Sequence, residues 1–105
     1  MAAAQEKCPK ETAYQIKYTK KFRRDLKRMA ASGRYHLEKL HTVIGLLAEG
    51  QTLPAFYRNH TLVGNFNGCE ECHIESDWLL VYQRDRNALL LILVRTGTHS
   101  KLFNE

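Results

Sequence analysis

The sequence predicts an α+β domain: an N-terminal strand and a helical hairpin packed on a small antiparallel sheet, closed by a short C-terminal turn or helix. Three observations lead there. Apolar residues recur at helical spacing in two consecutive segments before Gly50. Strand-like segments follow one another after Thr61. The turn residues between those later segments lie too close together for crossover helices. At 105 residues the chain has material for one hydrophobic core.

Residues 1–12, MAAAQEKCPKET, are polar and without period, so they are expected to be a disordered extension ahead of a single domain at 13–105. Tyr14-Gln-Ile16-Lys-Tyr18 alternates with period two and predicts a strand. Thr19 is placed to cap a helix in which Phe22, Leu26 and Met29 form the apolar stripe, and Ser32-Gly33 breaks it. A second helix is expected from about Arg34 to Glu49, with Leu37, Leu40, Val43 or Ile44, and Leu47 inward and Gly50 as its stop. Leu53-Pro54 opens a loop carrying Tyr57, Arg58, Asn59 and His60. Strands are then expected near Thr61 to Asn65, Cys69 to Glu75, Leu79 to Arg84 and Ala88 to Arg95. Asn67-Gly68 and Asp85-Arg86-Asn87 supply turn chemistry, and Ala88 to Val94, apolar on both faces, reads as a central strand.

The formal charge is +5, unevenly spread: eleven of the sixteen Lys and Arg lie at or before Lys39, against Glu6, Glu11, Asp25 and Glu38. In the first helix Lys20, Lys21, Arg23, Arg24, Lys27 and Arg28 are offset only by Asp25, more cations than solubility needs, which points to a polyanionic partner such as nucleic acid or an acidic protein. No apolar run approaches the roughly 18 residues of a membrane span, and no hydrophobic leader opens the chain, so a cytoplasmic protein without a membrane partner is expected. Three cysteines are an odd number for a disulfide scaffold, so reduced thiols are expected.

Cys69-Glu-Glu-Cys72-His73 spells a haem-attachment or redox pattern, but a redox CxxC belongs at a helix N-terminus and a closed zinc site needs about four ligands. Two small residues in a strand are the plainer reading, and no metal or cofactor is expected. His36 and His41 read as solvated helix residues. His60, His73 and His99 stand instead where strands meet loops, with Asp77 and Arg95 on adjoining segments, a set able to converge on one sheet edge or face.

These residues carry a resemblance. Leu53-Pro54, Tyr57-Arg-Asn-His60-Thr-Leu62-Val-Gly64, His73-Ile-Glu-Ser-Asp77-Trp78-Leu-Leu-Val-Tyr82 and Arg95-Thr-Gly97-Thr-His99-Ser-Lys-Leu102-Phe103 resemble, in order, the RelE/ParE superfamily of bacterial toxins, most closely its YafQ branch of ribosome-dependent mRNA endonucleases. The resemblance implies the hairpin-on-sheet fold and cleavage of translated mRNA, in which the ribose 2′-OH attacks the adjacent phosphate. It implies as partners mRNA on the ribosome, ribosomal RNA and an acidic antitoxin, DinJ-like or RelB-like. It also makes the CxxCH pattern accidental.

Within that chemistry Arg95 is the expected phosphate clamp, because guanidinium stays charged and bonds phosphate in a bidentate fork. His99 is the expected general acid, since a histidine beside phosphate holds a proton near neutrality. By resemblance His60 and Asp77 are candidates to deprotonate or orient the 2′-OH, with His73 positioning the nucleotide or sharing the proton. Phe103 and Trp78 are candidate stacking platforms for a base, with core packing the alternative for both and the favoured one for Trp78. Lys20, Lys21, Arg23, Arg24, Lys27 and Arg28 are the expected contacts to ribosomal RNA or antitoxin. The competing readings are a ParE-like, non-enzymatic inhibitor of DNA gyrase and a metal or redox protein built on Cys69, Cys72 and His73.

Overall fold

The first helix is anchored at both ends by its own sequence. In a computed structural model that describes residues 13–103, strand β1 (Gln15–Tyr18) leads directly into helix α1 (Lys20–Ser32). The Thr19 side chain accepts a hydrogen bond from the Phe22 N–H at 3.0 Å and donates to the Val94 carbonyl at 2.7 Å. Gly33 ends the helix at φ 71°, a left-handed conformation that favours glycine. Helix α2 (Leu37–Ala48) follows, three residues later than its apolar pattern suggested. The reason is Tyr35, which leaves the helical path to meet Trp78 edge-on with ring centroids 5.0 Å apart.

Strands β2 (His60–Thr61), β3 (Glu70–Glu75), β4 (Trp78–Asp85) and β5 (Leu90–Gly97) come next, then helix α3 (His99–Phe103). The sheet order is β1-β5-β4-β3-β2. The expected strand at Thr61 to Asn65 is shorter than predicted. Its ladder gives way to a 3₁₀ turn at Gly64–Phe66, where Gly64 at φ 75° redirects the chain. The last four strands form the antiparallel meander, and β5 lies inside the sheet, as its two apolar faces required. Its other neighbour is β1, in parallel register from Gln15 opposite Leu90 to Tyr18 opposite Leu93.

Beyond Tyr18 the edge of β5 has no strand beside it. Helix α1 satisfies that edge instead: Thr19 binds the Val94 carbonyl, and the Asp25 carboxylate accepts the Thr96 N–H at 3.1 Å. Alternation along β4 sorts the interior into two layers. Trp78, Leu80 and Tyr82 face the helices and pack with Phe22, Met29, Leu40, Val43, Leu47, Cys72, Leu91 and Leu93. Leu79 and Val81 face the other way, where Leu102 of α3 and the half-buried Leu62, Phe66, Cys69 and Val94 pack against them. That face, away from α1 and α2, collects side chains from several strands. The expected extension at 1–12 lies outside the described residues, and among those described no helix is long and apolar enough to cross a membrane.

Candidate active site

On the open face, period-two alternation brings residues distant in sequence into one row. His60 pairs with Glu71 across β2 and β3, and His73 pairs with Leu79 across β3 and β4, so all four side chains share the face away from the helices. The His60 and His73 rings are 6.4 Å apart, His73 and His99 6.5 Å, and His99 and Phe103 5.3 Å. Phe66 extends the row, edge-on to Phe103 at 5.5 Å. Three of the predicted histidines and Phe103 are thus brought together. His99 is exposed, and Phe103 keeps 38% of its surface open, enough for one ring face to receive a base.

Glu71 organises this row, and the sequence reading missed it. Its side chain is 3% exposed, with Oε1 3.0 Å from His60 Nε2 and 3.8 Å from His73 Nε2. The other ring nitrogen of His60, Nδ1, lies 3.1 Å from the Arg58 carbonyl, so both nitrogens face acceptors and the ring is held in one orientation. Glu71 Oε2 and His73 Nδ1 are buried with no hydrogen-bond partner among the described residues, a costly arrangement typical of sites that work on a ligand. The signal was available: Glu71 stands two residues before His73, so on a strand the two must share a face.

Asp77 occupies the turn between β3 and β4, and its Oδ1 accepts the backbone N–H of His99 at 3.0 Å. It therefore fixes where α3 starts and where the His99 ring stands. Trp78 takes the second of its two readings, core packing, and is not a platform. It is 1% exposed on the helix side, its Nε1 donates to Thr96 Oγ1 at 3.0 Å, and it is core. The alternating pleat decides this, because Trp78 and Leu79 cannot share a face.

Arg95 is not aimed at the row. Its Nε donates to Asp25 Oδ2 at 2.7 Å and its Nη2 to Asp25 Oδ1 at 3.0 Å, a bidentate pair closed over by α1. Burial raises the Asp25 pKa, but the Arg95 hydrogen bonds, the Thr96 N–H, the charge of Arg95 and the Arg28 hydrogen bond outweigh it and hold the carboxyl below its usual range. Sequence reading took Asp25 for a surface counter-charge. Yet it falls at i+3 from Phe22 and i−4 from Met29, on the buried stripe, where a carboxylate must have a partner.

The basic residues of α1 divide between two surfaces. Arg23 and Lys27 border a groove of about 940 Å³ floored by Ile16, Tyr18, Leu26, Leu40 and Ile44. Lys21 and Arg28 turn to the opposite side, around Asp25 and Arg95, and Arg24 lines both. Lys20 is exposed at the start of the helix.

The CxxCH pattern does not converge. Cys72 faces the helix core, where burial and then the charges of Glu71 and Glu70 push its thiol up to about 12, while His73 lies on the opposite face. Among the described residues no group of three or more His, Cys, Asp or Glu is arranged to hold a metal ion.

Residues 14–104 match the family described as the bacterial toxin of type II toxin-antitoxin system, YafQ. The chain belongs to the YafQ family. It is 36% identical over 89 residues to the mRNA interferase toxin YafQ of Escherichia coli strain K12, covering 84% of this chain and 94% of that one. Among solved structures, a metal-bound toxin from Helicobacter pylori superposes with a TM-score of 0.77 at 41% identity, covering 86% of this chain and 99% of the other. YafQ in the E. coli DinJ-YafQ complex superposes at 0.76 with 35% identity, covering 86% and 98%. Its YafQ membership and the α+β hairpin-on-sheet fold agree with the sequence resemblance.

Proposed function

We propose that this YafQ-family protein is an mRNA interferase, an endoribonuclease that cuts translated mRNA on the ribosome. The observation that carries the reading is the row His60, Glu71, His73, His99 and Phe103 on the sheet face away from α1 and α2. The ribose 2′-oxygen bonds to the adjacent phosphorus while the bond from phosphorus to the 5′-oxygen breaks, leaving a 2′,3′-cyclic phosphate. The 2′-OH proton passes to the Glu71 carboxylate, whose Oε2 has no other partner among the described residues and whose Oε1 is held by His60, and His99 donates a proton to the departing 5′-oxygen. His73 stands between them and positions the nucleotide or shares the proton, and Phe103 stacks on a neighbouring base. Asp77 holds His99 in position. Arg95, already bridged to Asp25, braces β5 against α1 rather than clamping the scissile phosphate.

Primer extension on a translated mRNA, with and without ribosomes, tests the reading. Cleavage is expected only with ribosomes, and His99→Ala is expected to abolish it while ribosome binding persists. Cleavage by that variant at the parent rate would remove His99 as the acid. The histidine row favours this reading over a gyrase inhibitor, which has no use for acid-base groups on that face. The H. pylori neighbour is metal-bound; among the described residues here no group of three or more His, Cys, Asp or Glu is arranged to hold a metal ion, and no step is routed through one.

For the antitoxin, the supporting feature is the groove between β1, α1 and α2. Its apolar floor and rim of Arg23, Arg24 and Lys27 suit an amphipathic acidic segment. The E. coli relative forms a complex with DinJ.

A further inference from the structure

The side of α1 away from the apolar groove carries two adjoining concavities that share Arg28. One, about 100 Å³, is lined by Lys21, Arg24, Asp25, Arg28 and Arg95. The other, about 210 Å³, includes Arg28, Arg34, Thr98 and Lys101 in its lining. Thr98 immediately precedes His99, so the second concavity opens beside the proposed cleavage chemistry.

We infer that these two concavities are a phosphate-binding track, holding two backbone phosphates of the RNA strand beside the point of cleavage. Among the described residues Asp25 is the only acid lining either one, and its carboxylate is saturated. Oδ1 accepts from Arg28 Nη2 at 2.7 Å and from Arg95 Nη2 at 3.0 Å, while Oδ2 accepts from Arg95 Nε at 2.7 Å and the Thr96 N–H at 3.1 Å. A carboxylate so engaged orients the guanidinium of Arg28 without cancelling the cations around it. Lys21, Arg24 and Arg28, at i, i+3 and i+7, line one side of the helix, where their mutual repulsion is relieved by a bound anion. The smaller space suits a single tetrahedral anion, which Arg28 recognises through its planar fork and Lys21 as a point charge. Because Arg28 borders both spaces, two anions linked in a chain satisfy the surface better than two independent ones. Arg23 and Lys27 take no part, so α1 serves RNA on one side and the proposed protein partner on the other.

That the strand is RNA rests on the nuclease reading; the anion pockets do not. The test uses a 2′-O-methyl RNA oligonucleotide, which lacks the attacking hydroxyl and stays intact, titrated at several salt concentrations. Lys21→Gln with Arg34→Gln removes one exposed cation from each pocket and is checked for an unchanged melting temperature. Its slope of log affinity against log salt is expected to be shallower by about 1.4, about 0.7 for each single-strand phosphate no longer neutralised. Arg86→Gln, in the β4–β5 turn at the far end of the sheet, is expected to keep the parent slope. Inorganic phosphate is titrated separately, followed by the Arg28 Nε–H NMR signal, and is expected to shift it in the parent. A parent slope in the double variant overturns the track, and phosphate shifts beside such a slope assign the pockets to a free anion. If the slope drops while His99→Ala still cleaves, the nuclease mechanism fails and the track stands.

Discussion

Glu71 is the residue on which the proposed proton transfer turns, because its carboxylate approaches two histidines of the row. Replacing it with Gln preserves volume and removes the charge that pairs with His60. Glu71→Gln is expected to lower kcat by about 10²-fold with little change in KM, the range for losing one positioned acid-base group. Single-turnover cleavage on programmed ribosomes measures this, and a parent rate would take Glu71 out of the mechanism. His60, His73 and His99 were legible in the sequence as histidines with polar neighbours near the ends of elements, and the family resemblance added the matching context of His60 and a role for Phe103. Glu71 was not, because a glutamate in a charged strand looks solvated until its face is known. For Trp78 the sequence left two readings, platform or core, and its pleat parity put it in the core.

Among the elements, α3 is the shortest helix and the most consequential. It carries His99 and Phe103, and its start is tied to the β3–β4 turn through Asp77. Asp77→Ala is expected to lose most cleavage while leaving global stability nearly unchanged, since Asp77 is exposed. Asp77→Asn, whose side-chain oxygen still accepts the His99 N–H, is expected to restore much of the rate. Failure of Asn to rescue would give the Asp77 charge a role of its own. At the other end of the sheet, Thr19 serves both α1 and the edge of β5. Thr19→Ala is expected to cost about 1 to 2 kcal/mol in urea unfolding, at the high end for a helix cap because the bond to Val94 goes with it. The boundaries of α1 could be read from Thr19 and Ser32-Gly33, whose capping chemistry is local. The late start of α2 could not, because Tyr35 obeys Trp78 rather than its neighbours.

Across the whole molecule, the Asp25–Arg95 pair joins the first helix to the last strand over 70 positions of chain. Asp25→Asn leaves the Arg95 guanidinium buried with a neutral partner, and a loss of roughly 3 to 5 kcal/mol in equilibrium unfolding is expected. The pair also sets a pH dependence. The folded-state pKa of Asp25 is depressed, so its contribution is complete above the unfolded value near 3.8 and is lost as pH falls through the lower folded value. Acid unfolding of the parent is therefore expected to steepen below about pH 4. The Asn variant should lack that component, and superimposable acid limbs would show that the pair does not govern it.

The sequence by itself determined the order of elements, the helical hairpin on an antiparallel meander, the basic character of α1 and most of the histidine row. These follow from local periodicity, capping and turn chemistry, which act over a few residues. Tertiary structure alone decided that β1 runs parallel to β5 and that Arg95 belongs to Asp25. It also divided the cations of α1 between a groove and a track. Each of those outcomes depends on which face or edge meets another element far along the chain, and strand pairing and charge burial are settled only when those surfaces come together.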